Sequence, residues 1–312
     1  MARFLFYTDL HLSGQSPRHR VDDFPNTLLN KLEETYAIAR SQNCDFVVFG
    51  GDLFNTHRIY SYDVINRAMD IICDGDIDTY SVVGQHDLNG YNKNTFKTSA
   101  LAFVTARCGR FHILWEPVAV NGVHLCPSHV WDTLEDSSDW GMRSDCYNVL
   151  VAHHLLTNKK AMFDVVNTTE YVKTCECPYD LVLSGDLHDG YETHETEGVW
   201  FCNPGSLARR ATNDAHRHPQ VAVIETVGPG LPPAIDIHRL ECAESGDIVF
   251  GESIAEVVRA KGDFDADSFV DDILAFEAES SDVHELVQKI GSERGIRSEV
   301  LRYLAGKKDE NN

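Results

Sequence analysis

Short apolar runs rich in β-branched residues alternate with helical patterns through the first two thirds of the chain. Apolar side chains recur at helical spacing at 28, 29, 32, 36 and 39, after a possible cap at Asn26 or Thr27, and again at 64, 68, 71 and 72. The early half therefore predicts βαβ units, and the strands after about residue 199, which lack intervening helices, are expected to be antiparallel. The predicted strands are 3–8, 45–49, 79–83, 111–114, 118–126, 148–152, 181–184, 199–202, 221–225 and 234–240. This pattern predicts a mixed α/β fold with two sheets.

The composition changes after Leu240. Residues 241–312 contain 18 acidic and 8 basic residues and carry helical apolar patterns, for example at Leu286 and Ile290. We therefore predict a main domain over 1–240 and a small acidic helical region over 241–312. That region is interpreted either as a solvated helical surface or as a docking element for a partner chain or a second copy.

Charge and composition exclude several classes of protein. The chain has 27 Lys and Arg against 49 Asp and Glu, a net charge of −22, which excludes a general basic coat for nucleic acid. No apolar run approaches the roughly 20 residues that cross a bilayer. The first residues are too short an apolar stretch for a signal peptide, so we expect a cytoplasmic protein. Nine cysteines without a CxxC pair are expected to be reduced core residues, with a zinc site or a disulfide as the alternatives.

Five short blocks share one arrangement, in which an apolar strand ends directly in polar side chains. Because ligands of open α/β sheets bind beyond the carboxyl ends of the strands, the five ends are expected to converge. A lone Asp-x-His is more often a capping or hydrogen-bonding pair, but five such ends in one chain indicate a metal centre. Carboxylates mixed with imidazoles suit Mn²⁺, Mg²⁺, Fe or Zn²⁺. The blocks are 7–11 (YTDLH), 50–55 (GGDLFN), 83–87 (VGQHD), 151–154 (VAHH) and 184–188 (SGDLH).

These blocks, in this order, resemble the calcineurin-like metallophosphoesterases, whose pattern is D-x-H, G-D, G-N-H-[DE], a strand-end His and G-H-x-H. The match extends over residues 3–210. The segments 203–210 (NPGSLARR) and 51–54 (GDLF) also resemble the SbcD-type DNA repair nucleases of that superfamily. The resemblance implies a four-layer α-β-β-α sandwich of two mixed sheets, with the helical C-terminal region as an appendage.

The resemblance also implies roles for individual residues. Two divalent ions, Mn²⁺ first and Mg²⁺, Fe or Zn²⁺ as alternatives, would be bound, with Asp52 bridging them. His153 is preferred over His154 because it comes first after the apolar run 149–152. His86 matches the catalytic histidine, and Asp87 would orient it. The implied ligands are Asp9, His11, Asp52 and His188 for one ion and Gln85, His153 and Asp186 for the other.

Two positions depart from the family pattern. Gln85 stands in place of Asn and offers the same amide oxygen one methylene further out. Asp186 stands in place of the first His of G-H-x-H, which adds a negative charge at the second ion. We therefore expect a harder second site that favours Mn²⁺ or Mg²⁺ over Zn²⁺ and a less acidic bridging water, with a weakened or empty second site as the alternative.

The expected function is that of a Mn²⁺-dependent DNA exonuclease or endonuclease. Phosphodiester bonds would be hydrolysed by in-line attack of a hydroxide shared by the two ions, and His86 would stabilise the developing charge or protonate the leaving alkoxide. Arg209, Arg210 and Arg217 would contact substrate phosphates, or else lie in solvated loops. An SbcC-type ATPase partner and a homodimer are implied by the resemblance. The alternatives are a phosphodiesterase or phosphatase of small (cyclic) nucleotides and a non-catalytic scaffold of the same fold.

Overall fold

The computed structural model describes residues 1–58, 61–73, 75–159, 165–175 and 177–250. Most of the predicted C-terminal helical region, residues 251–312, lies outside the described residues, so the domain boundary at 240 stays a prediction. Within the described part, no helix combines the length and apolarity that a membrane crossing requires.

The described residues form fourteen strands and five α-helices. The strands are β1 (Ala2–Tyr7), β2 (Phe46–Phe49), β3 (Asp78–Ser81), β4 (Phe111–Ile113), β5 (Val118–Val120), β6 (Val123–Ser128), β7 (Tyr147–Ala152), β8 (Leu156–Thr157), β9 (Val166–Asn167), β10 (Leu181–Ser184), β11 (Tyr191–Thr196), β12 (Val199–Asn203), β13 (Gln220–Thr226) and β14 (Ala234–Arg239). The helices are α1 (Phe24–Ser41), α2 (Tyr62–Cys73), α3 (Ala100–Arg107), α4 (Thr168–Cys175) and α5 (Gly246–Phe250). Short 3₁₀ turns cover Asn89–Tyr91, Lys93–Thr98, Asp136–Asp139 and Thr212–His216.

Two six-stranded mixed sheets form the frame. The first has the order β14-β13-β1-β2-β3-β4, with β1 to β4 parallel and β13 antiparallel to β1 and β14. The second has the order β11-β12-β10-β7-β6-β5, in which β12, β10, β7 and β6 are parallel. Because parallel strands share one carboxyl edge, each sheet presents a row of strand ends on one side.

Alternation of side chains along the strands separates the layers. Phe4 and Phe6 of β1 pack in one cluster with Val149 and Val151 of β7, which forms the core between the sheets. Leu5 and Tyr7 face the opposite way, into a second cluster with helices α1, α2 and α3. Helix α4 covers the outer face of the second sheet through Tyr171 and Val172. The expected α-β-β-α sandwich of two mixed sheets is confirmed.

Several local predictions need correction. The predicted strand 118–126 is a hairpin, because Asn121 and Gly122 both have positive φ, the conformation of a tight two-residue turn. Helix α1 begins at Phe24 with Asp23 as its cap, so the predicted caps at 26 and 27 are wrong. The second sheet contains a strand, β11, that the prediction lacked. Strand β12 is antiparallel to β11 but parallel to β10, so the expectation of antiparallel strands after 199 holds only in part.

The expectation that all cysteines are reduced is wrong for one pair. Cys73, at the end of α2, is bonded to Cys108, which caps α3, and their Cα atoms are 5.4 Å apart. The pair closes a loop with a sequence separation of 35 residues. The other seven cysteines are free, and four of them are buried as expected: Cys44, Cys126, Cys146 and Cys202.

Removing this crosslink is expected to lower stability. Cys73→Ser should reduce the free energy of unfolding by about 2–4 kcal/mol, because a crosslink that closes a loop of this length restricts the conformations of the unfolded chain. Denaturant unfolding under non-reducing conditions measures the change, with Cys242→Ser, an exposed free cysteine, as control. Equal stability of the two variants would contradict the expectation.

Candidate metal centre

Five strand ends from both sheets meet at one place. In the first sheet the parallel strands β1, β2 and β3 lie side by side and lead into Asp9 and His11, Asp52, and Gln85 and His86, respectively. In the second sheet the adjacent parallel strands β7 and β10 lead into His153 and into Asp186 and His188. The five blocks are therefore strand ends, as predicted, and all seven expected ligands lie at the facing carboxyl edges of the two sheets.

The backbone at these ends is held in an uncommon conformation. Asp9, His11, Asp52 and Asp186 have φ of 52°, 47°, 59° and 69°, within the left-handed region that few residues other than glycine adopt. Such residues cost on the order of 1–3 kcal/mol each and cluster at functional sites. Here the left-handed turn follows the strand immediately and directs the carboxylates and the imidazole towards one point.

The first group of side chains lies around Asp9. The Nε2 atoms of His11 and His188 are 3.0 Å apart, and each lies 3.6–3.7 Å from Asp9 Oδ1. Asp52 Oδ2 is 3.9 Å from His11 Nε2. Ligands bonded to one ion at about 2.0–2.2 Å lie at separations of this size. Asp9 is itself fixed, since its other oxygen accepts hydrogen bonds from Thr8 Oγ1 and the Asp186 backbone N–H.

The second group shares Asp52. His153 Nε2 lies 3.5 Å from Asp52 Oδ2, and His153 Nδ1 is 2.6 Å from the Gly50 carbonyl oxygen, to which it donates. A histidine ligand commonly donates its second ring N–H in this way. Gln85 Nε2 donates to Asp186 Oδ1 over 2.6 Å, so the two residues that depart from the family pattern contact each other. His154 instead bonds Ser128 Oγ over 2.8 Å.

Buried polar atoms without a partner converge on this place. Asp9, Asp52 and His153 offer ligand atoms within 4.8 Å of one another, and their Oδ1, Oδ2 and Nε2 atoms, respectively, are buried without a hydrogen-bond partner among the described residues. Gln85 Oε1, beside Asp186, is likewise buried and has no such partner. Such atoms are costly unless something else satisfies them. Carboxylate oxygens, an amide oxygen and imidazole nitrogens are a donor set for divalent cations. These residues therefore fit a binuclear divalent-metal site, with Asp52 between the two groups.

Burial and neighbouring charges shift the pKa values of individual ligands in different directions. Burial alone would raise the pKa of Asp52, but the charges of His153 and His86 bring it well below its usual range. Burial lowers the pKa of His11 to about 3, which keeps its imidazole neutral. Burial would lower the pKa of His153, but the charge of Asp52 raises it well above its usual value. A metal ligand must be an ionised carboxylate or a neutral imidazole, so metal binding would release a proton from His153.

His86 lies at the rim of the site with one ring nitrogen in use. Its Nδ1 is 2.8 Å from the Asn55 carbonyl oxygen, which can only accept, so Nδ1 carries the proton and Nε2 is left available. Its backbone N–H donates to Asp52 Oδ1 over 2.9 Å. The imidazole meets that of His11 edge to face, with 4.8 Å between centroids. His86 is therefore held beside the metal-binding side chains through a bond that does not involve Asp87.

Asp87 has other partners than expected. Its carboxylate accepts the backbone N–H groups of Asp52, Leu53 and Gly84 at 3.0–3.1 Å and forms no bond to the His86 imidazole. The expectation that Asp87 orients this imidazole is therefore not met. Asp87 instead ties the β2 and β3 loops together. Burial and the nearby Asp52 raise the pKa of Asp87 to about 7.

Two of the three expected phosphate contacts are structural. Arg209 is only 1% exposed and donates to the carbonyls of Arg217 and Glu244. Arg217 donates to the carbonyls of Ser206 and Ala208 and pairs with Asp214 over 3.1 Å. Both expectations are wrong, because these guanidinium groups bond backbone carbonyls of the loop after β12 and of Glu244. Arg210 is half-buried at the edge of the same loop.

This loop supports the metal centre indirectly. Ser206 Oγ donates to the Asp9 carbonyl over 2.8 Å, and the Ala208 N–H reaches the same carbonyl at 3.3 Å. The buried Lys31 donates to the Leu207 carbonyl over 2.6 Å. Segment 203–210 therefore braces the left-handed turn at Asp9.

Sequence reasoning gave no role to Asn55, Gly50 and Ser206, whose backbone or hydroxyl groups hold site residues. Asn55 and Gly50 belong to a recognised block, but a carbonyl contact has no side-chain signature. Two glycines of the recognised blocks also contact site residues, and these could have been noted from the sequence. A Cβ at Gly51 would lie 2.5 Å from His153 Nδ1, and one at Gly84 would lie 2.1 Å from Asp52 Oδ1. Glycine is required at both positions because the site residues pack directly against the backbone.

Comparison with known proteins identifies the family. The family model for calcineurin-like phosphoesterase matches residues 2–190, which is 189 of the 312 residues. The chain belongs to the calcineurin-like phosphoesterase family. Family membership and the clustered ligands support a metal-dependent phosphoesterase with a binuclear site. The finer resemblance to SbcD-type nucleases is not established by this match.

The solved structures that match this chain include phosphatases and a phosphoesterase. A dimetal phosphatase from Danio rerio is 11% identical, with 75% of this chain and 98% of that chain covered and a TM-score of 0.47. A purple acid phosphatase from yellow lupin (Lupinus luteus) seeds is 11% identical, with 76% and 51% covered and a TM-score of 0.47. A phosphoesterase from E. coli is 13% identical, with 72% and 88% covered and a TM-score of 0.38. A search of curated protein sequences found no match.

Proposed function

We propose that this phosphoesterase hydrolyses phosphodiester bonds of DNA, with Mn²⁺ as the preferred ion. The observation that supports hydrolysis is the convergence of three buried atoms, from Asp9, Asp52 and His153, that have no hydrogen-bond partner among the described residues. They lie beside His86, whose Nδ1 is bonded to the Asn55 carbonyl. Each buried polar atom without a hydrogen-bond partner lowers the stability of the fold, and this cost has no explanation in a non-catalytic scaffold.

The residues that would hold the ions are those of the two groups around Asp52. Two divalent ions held there would lower the pKa of a water molecule and offset the negative charge of the phosphoester. Asp52 lies between the two groups. Its Oδ2 is close to His11 and His153, and its Oδ1 accepts a hydrogen bond from the His86 backbone N–H. Asp186 adds an anionic oxygen where the family has imidazole, which supports Mn²⁺ or Mg²⁺ over Zn²⁺.

His86 is proposed to act on the substrate. Its Nε2 can donate a proton to the leaving alkoxide or a hydrogen bond to a phosphoryl oxygen, while the Asn55 carbonyl holds Nδ1. Gln85, His86 and His188 are each half-buried, so the rim of the site is open to solvent. An open rim accommodates a substrate whose chain continues on both sides of the scissile phosphate.

DNA is proposed as the substrate because segments 51–54 and 203–210 resemble the SbcD-type nucleases. One observation favours the second candidate, a small (cyclic) nucleotide phosphoester. Arg209 and Arg217 donate to backbone carbonyls, so their guanidinium groups are not available for the direct phosphate contacts that a long polyanion needs near a chain of net charge −22. An SbcC-type ATPase or a second copy is proposed as the partner of the C-terminal region.

Hydrolysis of end-labelled single- and double-stranded DNA beside bis(p-nitrophenyl) phosphate tests the proposal, with Mn²⁺ and with chelator. We expect Mn²⁺-dependent shortening of DNA. Cleavage of the small ester alone would favour the nucleotide candidate, and no hydrolysis of either substrate would contradict the proposed function.

The metal preference can be tested separately through Asp186. Asp186→His restores the imidazole of the family pattern and should raise the activity with Zn²⁺ relative to Mn²⁺ by about tenfold, because the added charge at the second group is removed. The measurement is kcat/KM for bis(p-nitrophenyl) phosphate with each metal. Asp189→His, at a mostly exposed position three residues away, is the control. An unchanged metal ratio would show that Asp186 does not set the preference.

A further inference from the structure

The rows of strand ends continue past the metal ligands on one side of the site. In the first sheet β4 lies next to β3, and Trp115 follows the end of β4. In the second sheet β6 lies next to β7, and His129 and Trp131 follow the end of β6. These rings therefore follow the strands immediately beside those that lead into Gln85 and His153. Adjacent strands of a sheet are about 4.8 Å apart.

Four rings form one cluster there, which we call the aromatic platform: Phe96, Trp115, His129 and Trp131. His129 stacks on Trp131 with 4.6 Å between centroids, and Trp115 stacks on Trp131 at 6.3 Å. Phe96 meets Trp115 edge to face at 4.9 Å, and His129 tilts against Trp115 at 5.6 Å. The cluster therefore joins the ends of both sheets.

The platform is anchored to the segment that carries the catalytic histidine. The Val83 N–H donates to His129 Nδ1 over 3.0 Å, and the Val130 N–H donates to the Val83 carbonyl over 3.2 Å. Val83 precedes Gly84, Gln85 and His86 directly. The position of the rings is thus fixed relative to the place where the phosphoester would bind.

One ring of the platform is open to solvent. His129 is 4% exposed and its packing explains its burial, whereas Trp115 is 52% exposed although three other rings surround it. Lys93 and Lys97 are exposed in the turn that carries Phe96. An exposed indole can stack on an unpaired nucleobase, because every base has a face that stacks on aromatic rings, and exposed lysines in the turn that carries Phe96 attract phosphates.

We propose that the aromatic platform binds an unpaired nucleobase next to the scissile phosphate, with Trp115 as the stacking surface. This inference rests on the proposed function and narrows its substrate class to nucleotide phosphodiesters whose flanking base is free, as in single-stranded DNA or a frayed end. It assigns Trp115 to binding of the substrate and leaves the chemical step to the metal centre.

The test compares a base-bearing strand with a base-free strand. Trp115→Ala should raise KM for a single-stranded oligothymidylate by about tenfold and leave kcat unchanged. KM for an abasic phosphodiester strand of equal length should change by less than about twofold. Phe103→Ala, which removes another half-exposed aromatic residue, should change neither value. Equal effects on both strands, or no effect of Trp115→Ala, would overturn the proposal.

A binding measurement separates this inference from the proposed function. In a metal-loaded His86→Ala background, the anisotropy of labelled oligothymidylate and of the labelled abasic strand gives Kd whether or not the chain cleaves DNA. Loss of base preference with Trp115→Ala supports the platform even if DNA is not hydrolysed. If Trp115→Ala instead changes the sedimentation of the protein alone and leaves both Kd values unchanged, the platform is an interface between copies and the proposal is wrong.

Discussion

Asp52→Asn is expected to lower kcat/KM for phosphodiester hydrolysis by at least about a thousandfold, which corresponds to about 4 kcal/mol of transition-state stabilisation. Asp52 lies near histidines of both groups, 3.9 Å from His11 and 3.5 Å from His153. Asparagine keeps the shape and the oxygen that accepts the His86 N–H but removes the charge. Metal affinity should therefore fall by more than about 100-fold.

Kinetics with Mn²⁺ titration and metal content after gel filtration measure these two effects. Asp145→Asn is the matched control, because Asp145 is exposed and pairs with Arg143 before β7 begins, at the opposite end of the strand from His153. If Asp52→Asn kept both bound metal and activity, Asp52 would not connect the two groups and the assignment of the centre would fail.

His86→Ala should give the second large effect, a loss of about 10²–10⁴ in kcat with metal content unchanged. The imidazole bonds the Asn55 carbonyl and leaves Nε2 free, so its removal takes away a donor to the substrate and leaves the groups around Asp52 in place. Loss of metal together with activity would show that His86 is a ligand.

The two roles left open for His86 differ in their dependence on the leaving group. A p-nitrophenolate leaves as a stable anion, whereas the alkoxide of DNA needs a proton. If His86 protonates the leaving oxygen, His86→Ala should impair DNA cleavage more than cleavage of bis(p-nitrophenyl) phosphate. Equal losses would indicate stabilisation of charge on the phosphoryl oxygens. His238→Ala, on the edge strand β14, controls for loss of a histidine.

The metal centre could be predicted from the sequence because its signal is local. Each block combines an apolar strand with polar residues directly after it, and parallel strands bring such ends to one edge. His153 could be separated from His154 by the alternation of side chains, and the structure places His153 by Asp52 and His154 by Ser128. The dipeptide Asn121-Gly122 is a recognisable hairpin turn signal, and the prediction of one strand over 118–126 did not use it.

Other features depend on contacts that no local pattern carries. Strand β11 (YETHET) has no apolar alternation, since it is an edge strand held by pairing with β12. Arg209 and Arg217 look like surface charges, yet their guanidinium groups are buried against carbonyls of distant residues. The bonds of Asp87 to backbone N–H groups of another loop likewise arise only after the two strands are side by side.

Metal content measured together with hydrolysis tests the central claim most directly. The protein is stripped with chelator and titrated with Mn²⁺, and bound ions per chain are determined at each point beside the rate of bis(p-nitrophenyl) phosphate hydrolysis. We predict no activity in the stripped protein and a rate that rises with occupancy to two ions per chain. Full activity with a single bound ion would contradict the binuclear centre, and activity in chelator would contradict the whole account.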